Sequence, residues 1–132
     1  MTALVVDAHQ HFWDPSRADY PWMTDDVAVL RRRYGPENLE PLLRTAGVAG
    51  TVVVEARQEL AETRELLALA AETPFLLGVV GWLDLTGDVP AQLAALAGPL
   101  VGVRHVVQDE PDPGWLLRDD VQRGIAAVGE AG

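Results

Sequence analysis

Cysteine is absent from this chain of 132 residues. Disulfides and thiolate metal sites are therefore excluded. Long hydrophobic runs are missing too: no apolar stretch approaches the roughly 20 residues a membrane helix needs. Positive charge is scarce, with ten basic against twenty acidic residues and a net charge of −10. That balance argues against a nucleic-acid partner, because binding phosphate needs a basic surface. The acidity reads first as solubility. The one basic cluster, Arg31 to Arg33, reads as a solvated loop or helix face, with contact to an anion as the alternative. The opening "MTALVVDAHQ" has neither a basic region nor a small-residue cleavage site. The expectation is a chain without a secretory leader, working in the cytoplasm and not at a membrane. A nucleotide-binding doubly wound domain needs a glycine-rich turn after its first strand, and "DAHQHFWDPSR" has none.

What is present is apolar and rhythmic. Hydrophobic residues make up 48% of the chain and mean hydropathy is +0.07, which suits one soluble domain over residues 1–132. Four β-branched runs stand out: "ALVVDAH" (3–9), "GTVVVEA" (50–56), "FLLGVVGWLDL" (75–85) and "LVGVRHVV" (100–107). They are near-continuous, as expected for strands covered on both faces. Each is followed by a segment with helical spacing. "GPENLEPLLRTAG" offers Pro36 for a first turn, Gly47 for a C-terminal cap, and a stripe of Leu39, Leu42, Leu43 and Ala46. Pro41 fits such a helix only near its start. "ELAETRELLALAAET" sets Leu60, Leu67, Ala70 and Ala71 on one side and charges on the other. "DVPAQLAALAG" has Asp88 as N-cap, and "RDDVQRGIAAVGEAG" repeats Val121, Ile125 and Val128. Strand and helix thus alternate four times, which predicts an α/β fold with a parallel sheet.

One connection breaks the rhythm. About 25 residues, "FWDPSRADYPWMTDDVAVLRRRYGP", separate the first strand from the first helix. Connections of roughly 2 to 6 residues are usual in such units. This segment holds Trp13, Tyr20 and Trp22, aromatics suited to a polar ring. They serve either to bind a ligand or to pack the loop on itself.

The same strand carries two of the three histidines, in "VVDAHQHFWD". Strand alternation predicts one shared face for Asp7, His9 and His11. In parallel α/β folds ligands bind at the carboxyl ends of the strands, where this pair sits. Two imidazoles about 7 Å apart along a strand can converge on one divalent ion, with Asp7 supporting them from behind.

The motifs "VDAHQHFWD", "YPW" (20–22), "GVAGTVVVEA" (47–56), "ET" (62–63), "GVVGWLDL" (78–85) and "GVRHVVQDEPD" (102–112) run along nearly the whole chain in order. Together they resemble the sugar-lactonase branch of the amidohydrolase superfamily, which includes fucono-, rhamnono- and pyrone-dicarboxylate lactonases. The resemblance implies the N-terminal half, four β/α units, of a TIM (β/α)8 barrel, and a metal-dependent hydrolase opening a sugar-acid lactone. It matches His9 and His11 to a pair that in many members holds a divalent metal, commonly zinc; some relatives work without metal. It matches Asp7 to the aspartate before that pair, and Arg104 to an arginine that meets substrate oxygens, with an ion pair to a nearby acid as the alternative. His105 points away from Arg104 and stands as a second candidate beside a packed histidine. Trp13 and Trp22 join them as substrate-binding candidates. Asp84, at the end of the third strand, is either a site residue or a loop cap. Glu55 stands where members often carry glutamine, adding negative charge near the site.

The resemblance also implies parts with no counterpart here. A full barrel needs roughly 250 residues. The general base, expected from an eighth strand, would lie beyond residue 132, and Asp109, Asp112, Asp119 and Asp120 come too early in the fold to replace it. The expectation is therefore half an active site, with two open sheet edges that self-associate or pair with a complementary half-barrel. The alternatives are a truncated, non-catalytic member that binds metal or ligand, or one subunit of a split enzyme.

Overall fold

The apolar runs pair in the order in which they occur. In a computed structural model that describes residues 3–132, β1 (Val6–Gln10), β2 (Gly50–Val54), β3 (Leu76–Gly81) and β4 (Leu100–Val103) form one parallel sheet. Neighbouring strands are joined by α1 (Pro36–Ala46), α2 (Leu60–Glu72) and α3 (Val89–Ala94), and α4 (Asp119–Glu130) follows β4. The last three strands are shorter than their apolar runs, because each of those runs continues past its last paired residue into a loop at the carboxyl edge of the sheet, whereas β1 starts later than its run and reaches Gln10.

Local chemistry sets the helix ends. α1 begins with Pro36, and the Gly35 N–H donates to Asn38 Oδ1 at 2.9 Å. It ends at Gly47, whose φ of 68° is the left-handed conformation a glycine adopts without strain. Pro41 lies inside α1. In α3 the Asp88 carboxylate accepts the Ala91 N–H at 3.0 Å.

α2 departs from the expected division into an apolar and a charged side. Its buried residues are Glu62, Thr63, Leu66 and Leu67. The two polar ones are taken up by backbone at the strand ends. Thr63 Oγ1 donates to the Trp82 carbonyl at 2.7 Å and accepts the Trp82 N–H at 2.9 Å. Glu62 Oε1 accepts the N–H groups of Ala56 and Arg57 at 2.8 and 3.1 Å.

Two apolar clusters fill the space between sheet and helices. Val53, Leu76 and Val79 pack with Leu66 and Leu67 of α2 and with Phe12. Leu83, Leu85, Val89, Trp115 and Val121 form the second cluster beneath α3 and α4. Here α4 approaches so closely that a Cβ on Gly124 would overlap the Leu85 carbonyl. The opposite face of the sheet is bare. Leu77, between the buried Leu76 and the glycine Gly78, is 47% exposed, and Val101 is 61% exposed. β1 and β4 each have one paired neighbour, so both flanks of the sheet are open. Among the described residues no helix is long and apolar enough to cross a membrane.

Candidate active site at the mouth of the sheet

The imidazoles of His9 and His11 converge. Their Nε2 atoms lie 3.2 Å apart, with ring centroids at 5.0 Å. The route to this pairing is not plain alternation. Asp7 and Gln10 register with Thr51 and Val53 of β2, so β1 carries an extra residue between them and the shared face expected for Asp7, His9 and His11 is broken. The Asp7 carboxylate instead accepts the backbone N–H of His9 at 3.0 Å and so shapes the strand where the histidines emerge. His11 Nδ1 faces the carbonyls of Val54 and Glu55 at 3.0 and 3.1 Å. Carbonyls only accept, so this nitrogen carries the proton and Nε2 presents its lone pair toward His9 Nε2. Burial pulls the His11 pKa below its ordinary value, with the positive charge of Arg104 acting in the same direction. The neutral ring that a metal requires is thereby favoured.

A cavity of about 480 Å³ opens beside His11, between Trp13 and Trp22 on one side and Arg104 and Val106 on the other. Its charged lining is Glu55, Asp109 and Arg104. Glu55 is 1% exposed, and its Oε1 has no hydrogen-bond partner among the described residues. Arg104 Nη1 stands 3.7 Å from that oxygen, close enough for attraction but beyond hydrogen-bond range. Burial raises the Glu55 pKa, and Arg104 opposes the rise. A second cavity, about 430 Å³, adjoins the first across Trp22 and shares Glu55 and Asp109 with it.

The long loop folds on itself and also walls the mouth. Trp13 pairs with Tyr34 through backbone hydrogen bonds of 2.9 and 3.1 Å, and its Nε1 donates to the Leu30 carbonyl at 2.9 Å. Trp22 meets Trp13 edge-on at 5.2 Å and donates its indole N–H to the Ala56 carbonyl at 2.7 Å. Trp22 remains 40% exposed. Arg31 to Arg33 are spent inside the chain. Arg31 binds Asp25 and the Met23 carbonyl, Arg32 lies over the Tyr34 ring at 3.8 Å, and Arg33 binds Glu37.

Two sequence candidates lie away from the cavity lining. The Asp84 carboxylate caps its own turn, accepting the Thr86 N–H and hydroxyl at 3.0 and 2.7 Å. His105 stacks on Trp115 at 4.0 Å, accepts the Trp82 indole N–H at 3.0 Å, and meets Glu110 at 2.6 Å. Its side chain is 9% exposed, which makes it a packed ring that braces the loop after β4.

Other residues went unnoticed as candidates. Glu62 is 3% exposed, and burial pushes its pKa up to about 7 despite the two backbone N–H groups and the Arg57 guanidinium. It fixes the turn after β2, which in turn receives Trp22. Gln58 of the same turn accepts the Val106 N–H at 2.8 Å and so ties in the loop after β4. The "ET" at 62–63 was the one signal for Glu62, as part of the family pattern.

Four parallel β/α units in sequential order, with histidines and an arginine gathered at the strands' carboxyl ends, define the N-terminal half of a (β/α)8 barrel. The chain belongs to the amidohydrolase family, whose family model matches residues 6–132. It is 42% identical over 126 residues to the L-fucono-1,5-lactonase of Burkholderia ambifaria, covering 93% of this chain and 43% of that protein. The L-fucono-1,5-lactonase of Burkholderia multivorans is 40% identical over 129 residues, covering 96% and 44%. A crystal structure of a Burkholderia multivorans amidohydrolase with bound zinc matches with a TM-score of 0.92 at 39% identity, covering 98% of this chain and 46% of that one. The chain thus spans less than half the length of the relatives it matches.

Proposed function

We propose that this chain supplies the first half of a metal-assisted site that hydrolyses a sugar-acid lactone. The observation that carries this reading is the convergence of His9 and His11 Nε2 at 3.2 Å, beside a cavity that also holds Arg104. Two nitrogens each bound at about 2.0–2.1 Å to one tetrahedral ion lie about 3.3 Å apart, so the donor pair fits a divalent metal such as zinc. Among the described residues no group of three or more His, Asp or Glu side chains converges, so the chain offers two ligands of a larger set. When bound, such an ion supplies Lewis acidity toward a carbonyl or water.

The remaining chemistry belongs to the side chains. The Val54 and Glu55 carbonyls hold His11 in one tautomer and orientation. Arg104 presents a cation to the lactone carbonyl oxygen, where negative charge develops as water attacks. Trp13 and Trp22 give the ring an apolar wall. Asp7 supports the site indirectly, through the His9 backbone. The general base and further ligands come, in this reading, from four more β/α units packed against the bare sheet face and its open flanks. A chain acting as one part of a split or longer enzyme fits the exposed Leu77 and Val101 better than a stand-alone binder does. A cytoplasmic setting belongs to the same reading, and the lack of cysteine is compatible with it.

Zinc titration by calorimetry tests the metal half of the proposal. We expect one equivalent to bind, and H9A or H11A to weaken it at least tenfold. Acid release from sugar-acid lactones, measured with and without zinc, is expected only when the complementary units are present. Zinc binding unchanged in both histidine variants refutes the site.

A further inference from the structure

Glu55 offers a feature that the lactonase reading does not use. Its carboxylate is 99% buried, yet Oε1 receives no hydrogen bond from the described residues. It lines both the mouth cavity and the cavity beyond Trp22. The nearest cation, Arg104, stands 3.7 Å away. In the first cavity Glu55 and Asp109 face that single guanidinium. In the second, Asp19 and Glu59 join them, against Arg57. Arg57 is itself engaged by Glu59 and Glu65 at 2.8 and 2.9 Å.

We propose that Glu55 sets the ligand class of the mouth, which takes a neutral, hydroxyl-bearing ring in preference to an anion, including the acid formed when the ring opens. The inference rests on the lactone reading above and specifies its ligand. A buried acceptor without a donor is costly, and a ligand hydroxyl relieves that cost through a charge-assisted bond. An incoming carboxylate has the opposite effect. It must compete with Glu55 for Arg104 while approaching the buried Glu55 and the exposed Asp109. Hydrolysis adds water to the lactone carbonyl and breaks the ring C–O bond, giving one open-chain molecule that carries both the new hydroxyl and a carboxylic acid, which loses its proton at neutral pH. The product is thus the species this wall disfavours, and its release is assisted by the charge that admitted the substrate.

The test uses the 132-residue chain in zinc-free buffer at pH 8. Binding is followed through the imidazole and indole NMR signals, with two probes that differ in charge. One is the 1,5-lactam of a six-carbon aldonic acid, neutral and resistant to hydrolysis. The other is the open-chain aldonate. The wild type is expected to bind the lactam at least tenfold more tightly, and Glu55→Gln to shrink that preference at least tenfold by weakening the lactam and strengthening the aldonate. Should Glu55→Gln fail to fold, the wild type still decides: the hydroxylated lactam must outbind both the aldonate and unsubstituted valerolactam tenfold. Binding of both probes with the same preference in wild type and variant overturns the inference alone. Failure of the lactam to bind the wild type at millimolar concentration overturns the lactone reading with it.

Discussion

Replacing Glu62 by glutamine should make the protein more stable at pH 8 and leave it nearly unchanged near pH 4.5. Glu62 sits 3% exposed under the turn after β2, with its pKa raised from 4.5 to about 7 by burial. Between those values the unfolded carboxyl has lost its proton while the folded one keeps it. The folded state therefore binds more protons, and stability falls as pH rises through this window. Above about pH 7 the whole cost is present. A shift from 4.5 to about 7 corresponds to about 3 kcal/mol, at about 1.4 kcal/mol for each tenfold change. Glutamine cannot ionise, and its carbonyl can still accept the Ala56 and Arg57 N–H groups. Urea unfolding of wild type and E62Q at half-unit steps from pH 4.5 to 8.5 should give curves that separate by up to about 3 kcal/mol at the alkaline end. Repulsion among the other acids acts on both proteins and drops out of the difference. Parallel curves across the range would refute the buried, destabilised carboxylate.

Three further outcomes follow from the packing. G124A, which drives a Cβ into the Leu85 carbonyl, should cost about 1–3 kcal/mol in urea unfolding, because backbone on both sides must move. W22F removes the indole donor to the Ala56 carbonyl and should cost about 1 kcal/mol, with faster amide exchange at residues 56–58 if the strap holds that turn. Sedimentation velocity should show concentration-dependent association of the wild type, and V101E, which places a charge on the bare sheet face, should shift it toward monomer; a wild type that stays monomeric at every concentration would count against that face as a docking surface.

The four-unit rhythm was readable because the punctuation is explicit. Pro36, Gly47 and Asp88 stand where the helices begin or end, and the β-branched runs lie between them. The histidine pair was readable as well, though for a reason that needed correction: the extra residue in β1 breaks the alternation that suggested a common face with Asp7. Strand lengths were overestimated because the segments Trp82–Leu85 and Arg104–Val107 are apolar for a different purpose. Leu83 and Leu85 enter the second core and Val107 packs against it, rather than extending the ladder. Glu62 was illegible. A glutamate within a charged helical segment reads as a solvated face, and only the folded chain shows backbone donors waiting beneath it. The same limit applies to His105, whose neighbours Trp82 and Trp115 come from separate parts of the chain.

The aromatic strap is fastened at both ends, by the Trp13–Tyr34 bridge and by the Trp22 indole on Ala56. A belt buckled twice cannot swing as a hinged door. A guest therefore meets an outer wall already in place, and ordering that wall adds little to the cost of binding.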